Sequence, residues 1–313
     1  MLKIIHDIPN NLNFNKMNLL KKLYQISSPS GKETQMMNFI RSYLDKLGIP
    51  HFTDKAGNIY ATKGLATSYP CIVSHTDEVH RFREKGFKII QSGTKGNEII
   101  FGFNYLNRSH FGIGADDKNG IWICLKCLEE FATIKCVFFV SEEINCLGSS
   151  QAKMKFFNDC RFVVQCDRKG NSDIVTYCYD IELCSNEFLH DAAPEQFGYK
   201  KSKGLITDVI KLKQRGLKVS CVNLSCGYYL PHTPHEFTCI DDLMKCYNFV
   251  KHIITNCKKT YRHKIVKKPE VRTMHNHWRE KTSYNPFYYP FGCDDFSDDI
   301  NEKSILNLKT LTI

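Results

Sequence analysis

The sequence predicts an α/β fold: a mostly parallel central sheet flanked by helices on both faces. Three observations point to it. YPCIVS at 69–74, CVFFV at 136–140 and RFVVQC at 161–166 are near-continuous apolar runs, as expected of strands covered on both sides. Segments with apolar residues at helical spacing separate them. Strand-like and helix-like segments also alternate along the middle of the chain, the order that builds parallel sheets.

Taken in order, MNLLKKLYQI at 17–26 has helical spacing, SSPSGKE at 27–33 interrupts it, and TQMMNFIRSYLDKLG at 34–48 resumes it. Ser30 and Glu33 stand three apart, as in a capping box, and Gly48 closes the second helix. GNIYATKG (57–64) and YPCIVSHTDEVH (69–80) read as strands, the second ending abruptly in polar residues. FKIIQSGTKGNEIIFGFNY (87–105) reads as a hairpin around Gly93 and Gly96. A helix is expected at 120–132, a strand at 134–143, a helix at 146–157 and a strand at 159–170. Residues 205–237 continue as helix, strand and polar loop, and IDDLMKCYNFVKHIITNC (240–257) closes the core as an amphipathic helix. This pattern sets a domain at 1–257. Beyond it, 258–313 mixes aromatic, proline and charged residues without a period, an extension packed on the surface or partly disordered.

Among the 313 residues 42% are apolar, enough for a sizeable core. The first residues, MLKIIHDIPNNLNFNK, lack the apolar run of a secretory signal, and no stretch approaches a membrane span of roughly 18 apolar residues. A soluble, cytoplasmic protein is expected, with no membrane partner. The fifteen cysteines are odd in number and sit mostly in apolar runs, so they read as reduced, packed thiols; Cys124 and Cys127 fit one helix face better than a metal site. A formal charge of +10 raises nucleic-acid binding, but the lysines are interleaved with acids, and the densest basic run, KKTYRHKIVKK at 258–268, suits a solvated tail. Nucleic acid is not an expected partner.

The functional signal lies at the strand ends. In open parallel sheets ligands gather beyond the carboxyl ends of the strands. There stand His75 and Asp77, then Glu142 and Glu143, then Asp167, then His232, with Asp116 and Asp117 in the GADDKNG turn between. Adjacent aspartates repel unless a proton or cation lies between them, although capping of the following helix offers a plainer role. Two imidazoles and several carboxylates on one rim suit a pair of divalent cations, zinc foremost. Asp116 can then bridge the two, Asp77 can hold the second nitrogen of His75, and Glu142 and Glu143 can divide base and ligand duties.

HTD at 75–77, GADDKNG at 114–120, SEE at 141–143, the aspartate of CDRKG, TD at 207–208 and PHTPHE at 231–236 resemble, in order, the motifs of the co-catalytic zinc exopeptidases. That group includes peptidase T, carboxypeptidase G, glutamyl aminopeptidase and bacterial leucyl aminopeptidases, and the likeness covers about residues 16–255. It implies that Asp116 bridges two zinc ions across a cis bond to Asp117, with His75 and Asp167 completing one site and Glu143 and His232 the other. Glu142 would be the general base, and Asp77 would orient His75. Tyr228 or Tyr229 would meet the oxyanion, and Glu78 or Asp208 a substrate amine. The implied activity is hydrolysis of small peptides, most simply as an aminopeptidase; an acylated amino acid is an alternative substrate, a non-catalytic binding protein an alternative role, and a homo-oligomer is compatible.

Two departures stand out. Relatives with a lid carry about a hundred residues after the fourth ligand, whereas 40 separate Asp167 from Asp208, so the lid is expected to be missing. His80 and His110, on the 80–110 hairpin, read as surface residues, His235 has the wrong offset from Glu236 to be the ligand, and His275 and His277 read as tail residues.

Overall fold

Seven helices and fourteen strands occupy residues 10–265, the part of the chain that this computed structural model describes. In chain order they are α1 (Asn10–Gln25), α2 (Thr34–Lys46), β1 (His51–Thr53), β2 (Ile59–Lys63), β3 (Tyr69–His75), β4 (Phe87–Ser92), β5 (Ile99–Asn104), β6 (Ser109–His110) and α3 (Ala115–Glu130). Then come β7 (Ile134–Phe139), α4 (Leu147–Ser150), β8 (Cys160–Arg168), β9 (Asp173–Cys178), β10 (Ile181–Glu182), α5 (Asn186–Ala192) and β11 (Lys200–Gly204). The domain closes with α6 (Asp208–Gln214), β12 (Cys221–Ser225), β13 (Tyr228–Tyr229), β14 (Phe237–Cys239) and α7 (Ile240–Asn256).

The three apolar runs are neighbouring strands. The main sheet runs β1-β2-β7-β3-β8-β12-β9-β10, with β11 paired to β9. Its centre, β7-β3-β8-β12, is parallel, while β2 pairs antiparallel with β7, and β9 antiparallel with β12. The four middle strands are thus parallel, the order reverses at β2 and at β9, and β11 pairs parallel with β9. Alternation along these strands sends side chains to opposite faces. Ile72, Phe138, Phe162 and Val164 join one core with α1, α2, α3 and α7; Cys71, Val73, Val137, Phe139 and Val163 join another with α6. Because both faces are covered, the strands carry no polar alternation. Behind the site lies α3, buried on every side from Ile121 to Leu125, with Trp122 wholly enclosed.

Several expectations are corrected. Residues 146–157 form only the single turn α4 and a 3-10 turn at Met154–Phe157. Residues 171–204, for which no element is assigned above, supply β9, β10, α5 and β11, so the short segment between Asp167 and Asp208 widens the sheet. The predicted hairpin is present as β4 and β5 and joins β13 and β14 in a second, five-stranded sheet. No capping box forms: Glu33 occupies the N-cap of α2 but makes no side-chain cap bond.

The first residues of the expected extension pack on the domain. Tyr261 is buried against Phe162 and Phe188, and its backbone bonds Arg161 and Ser220. Residues 266–313, with His275 and His277, lie outside the described residues. The fourteen described cysteines are all free thiols, thirteen of them buried. No described helix is long and apolar enough to cross a membrane.

Candidate metal centre

Strands β3 and β8 end side by side with β7 and β12, and their ends deliver His75 and Asp167 to one place. His75 Nε2 lies 3.0 Å from Asp116 Oδ1 and 3.5 Å from Asp167 Oδ1. The other oxygen of Asp116 lies 3.4 Å from His232 Nε2, which is 3.1 Å from Glu143 Oε1. Two donor groups result, His75–Asp116–Asp167 and Asp116–Glu143–His232, each with its ligand atoms within 4.8 Å of one another and both sharing Asp116. The Asp116–Asp117 peptide is cis.

Each donor is held from behind. Asp77, buried at the end of the β3 strand, accepts from Ser30 Oγ (2.7 Å), Glu142 N (2.8 Å) and Glu143 N (3.1 Å), and its Oδ1 lies 3.3 Å from His75 Nδ1. His75 Nδ1 hydrogen-bonds the backbone oxygen of Asp77 at 3.1 Å, so this one residue ties the imidazole to the glutamate loop. Asp117 accepts from the N–H of His75 and, through its other oxygen, from that of Gly120. A Cβ at Gly120 would lie 2.3 Å from Asp117 Oδ1, which explains the glycine. Asp167 is fixed at its backbone by a two-way amide pairing with Asn223 and at its side chain by Gln165 Nε2 (3.0 Å) and Tyr228 Oη (3.4 Å).

The turn carrying Asp116 is clamped by two buried carboxylates. Glu236 accepts from Gly114 N (2.6 Å), Asp116 N (3.2 Å) and His80 Nε2 (2.9 Å). Glu78 meets Lys118 Nζ at 2.9 Å and Arg83 Nη2 at 2.8 Å. Gly114 has φ +63, and a Cβ there would lie 2.1 Å from Glu78 Oε2. Only glycine suits both the backbone and the space.

Electrostatics follow from crowding carboxylates in a desolvated place. Burial alone would depress the His75 imidazole, but Asp167, Asp116 and Asp77 outweigh it and hold its pKa well above the usual value. Hydrogen bonds to Asp116 and Glu143 raise His232 to about 11. Burial pushes the Glu142 carboxyl well up, and nearby Asp167, Asp208 and Glu143 add to this. Burial acts on Asp116 in the same direction, yet the two imidazoles hold it below the ordinary carboxylate range. A field that draws protons onto two imidazoles is one that divalent cations would answer, and imidazole with carboxylate is a donor set that zinc accepts. The residues present fit such a pair.

Other predicted contacts have different partners. Tyr229 gives its hydroxyl to Asp242 (2.7 Å), and Tyr228 directs its own to Asp167. Glu78 is buried and paired with Arg83 and Lys118. Asp208 is also wholly buried, bonded by Gln165 Nε2 at 3.2 Å, and burial raises its pKa to about 6. His80 is an inward partner of Glu236, and His110 packs at a tilt against His235, with ring centroids 4.8 Å apart. Ser30, Glu33, Gln165, Asn223 and Glu236 had no assigned place at the site; only Glu236, inside PHTPHE, carried a sequence signal.

No family model matches the chain. Over 64 residues it is 34% identical to a Pyrococcus abyssi protein named as a LysW-lysine/LysW-ornithine hydrolase; the match spans 20% of this chain and only 19% of that relative's length. Among solved structures it is similar to aminopeptidase PepT of Bacillus cereus (TM-score 0.62, 16% identity, 78% of this chain and 98% of the other). A Staphylococcus aureus tripeptidase aligns with TM-score 0.61 at 14% identity, over 77% and 97% of the two chains. The TET1 peptidase of Pyrococcus horikoshii, which assembles into a tetrahedron or an octahedral shell, aligns with TM-score 0.55 at 14% identity, over 76% and 99%. The chain shares the fold of these peptidases.

Proposed function

We propose that this protein is a metal-dependent hydrolase of amide bonds in small peptides, acting as an aminopeptidase with two divalent cations, zinc by preference. The observation that supports it best is the pair of donor groups meeting at Asp116, with Glu142 on the same loop as Glu143. Asp116 would be shared, with His75 and Asp167 holding one ion and Glu143 and His232 the other. Bound there, the ions would supply positive charge that acidifies water and polarises the scissile carbonyl. Glu142 takes a proton from the attacking water as its oxygen bonds to the carbonyl carbon, and returns it to the departing amine as the C–N bond breaks. Asp77 holds His75 in one orientation, while Gln165 and Tyr228 do so for Asp167.

An acylated amino acid is a second substrate reading, favoured by the partial match to the Pyrococcus abyssi protein. A homo-oligomer accords with the assembling TET1 relative. The test is hydrolysis of dipeptides, tripeptides, aminoacyl anilides and N-acetyl amino acids by zinc-reconstituted full-length protein, with chelated protein and Glu142→Ala as controls. Release of N-terminal residues abolished in both controls is expected. Bound zinc without cleavage of any panel member would sink the hydrolase reading.

A further inference from the structure

The stretch SSPSGKE at 27–33 has the composition of a helix start, yet its side chains point across the molecule. Ser27 Oγ accepts the N–H of Arg83 (2.7 Å). Ser28 exchanges backbone bonds with Glu78, its N–H reaching the carboxylate at 2.8 Å and its carbonyl accepting the Glu78 N–H at 2.9 Å. Ser30 Oγ donates to Asp77 Oδ2 at 2.7 Å. Glu33, 5% exposed, accepts on one oxygen both the N–H (3.0 Å) and the hydroxyl (3.1 Å) of Ser141, 108 positions along the chain.

These contacts fall where the backbone most needs holding. Ser141 has φ +53, and Asn145 and Cys146 in the same loop have φ +59 and +54, a conformation that L side chains adopt reluctantly. Two hydrogen bonds to a carboxylate are strong enough to select it. Ser30 supplies one of three hydrogen bonds to the Asp77 carboxylate, the N–H groups of Glu142 and Glu143 supplying the others. Removing it leaves the glutamate loop's anchor with one fewer tie to hold its orientation.

We infer that residues 27–33 are a strap that sets the loop bearing Glu142, with Ser30 and Glu33 as positioning residues that act through Asp77 and Ser141. This rests on the hydrolase reading for its kinetic consequence, but its structural content is separate. The same carboxylate could have capped α2; it makes no such bond.

Hydrogen exchange on the metal-free full-length protein tests the strap directly. In Glu33→Ala the amides of 140–147 should exchange at least about tenfold faster, with β3 and β7 unchanged; Glu33→Gln, whose amide oxygen still accepts from Ser141, should change less, and Ser30→Ala should loosen Glu142 and Glu143 alone. At saturating zinc, Glu33→Ala should lower kcat by about 10- to 100-fold at KM within twofold. Exchange left unchanged at 140–147, or raised evenly across the sheet, overturns the strap whatever the rates do. If the parent cleaves nothing while the exchange pattern appears, the strap stands and the hydrolase reading falls.

Discussion

The two halves of the acidic cluster are built from different material. His75 and Asp167 end strands of the parallel centre, and their side chains are 0% and 8% exposed; Glu143 and His232 ride on loops, at 10% and 51%. Eight described non-glycine residues have positive φ, and five of them, Ser141, Asn145, Cys146, Leu230 and His232, lie on those two loops. The first half inherits its geometry from sheet hydrogen bonding, whereas the second depends on strained backbone and on side-chain clamps such as Asp77 and Glu33. The first half is desolvated throughout, and the second is open to water at His232. On the proposed reading the ion at His75 is held tightly and the ion at His232 exchanges.

Asp116→Ala should do the most damage, because it serves both halves: zinc content falls to the background of a chelated control, and the several kcal/mol of charge stabilisation vanish, on the order of 10^3-fold or more in kcat. Retention of both ions by this variant would dissolve the comparison. Glu142→Gln should keep both ions and lose about 10^2- to 10^4-fold in kcat. His232→Ala should sharpen the contrast, since metal analysis after gel filtration is expected to find the His75 ion present and its neighbour gone; loss of both would mean the halves are not separable.

The pH dependence follows from the imidazoles. In the metal-free protein the surrounding carboxylates raise His75 above its ordinary value and His232 to about 11, which favours the protonated rings. Binding zinc must expel those protons, and apparent affinity should rise as pH is raised from 6 to 9, checked by calorimetry in buffers of different ionisation enthalpy. Without metal the sign for stability reverses. The ion pairs of His232 contribute fully below its unfolded pKa of about 6.5 and are lost as pH climbs toward 11. The smallest effect is expected from Tyr229→Phe, within about twofold in kcat, as that hydroxyl serves Asp242.

How much of this was legible beforehand varied with the reach of the interactions. Apolar runs closing on His75, Glu142 and Asp167 could be read because burial on both faces writes itself into consecutive residues. That they converge with Asp116 and His232 was implied by the carboxyl-edge rule and by the resemblance to the zinc exopeptidases, not by periodicity. Ser30 and Glu33 were misread because a local cap and a bond to a residue 108 positions away look alike in one dimension. Strands β9 and β11 are harder to read: DIVTYC is short and mixes apolar with polar residues, and KKSKG carries three exposed and no buried side chains. Tyr229 differs from Tyr228 by one position, which on a strand reverses the face presented, and no composition rule tells which of two adjacent tyrosines points inward.

The thirteen buried thiols give the fold a built-in stopwatch. A thiolate must reach solvent before an alkylating reagent can mark it, so each cysteine reports the opening of its own neighbourhood. Cys146, whose sulfur touches Glu142 Oε1 at 3.3 Å, sits in the glutamate loop, while Cys71, Cys136 and Cys166 lie in the central strands. Peptide mapping after timed labelling would therefore read two clocks in one sample: one for breathing of the loop that carries Glu142 and Glu143 and one for rupture of the sheet.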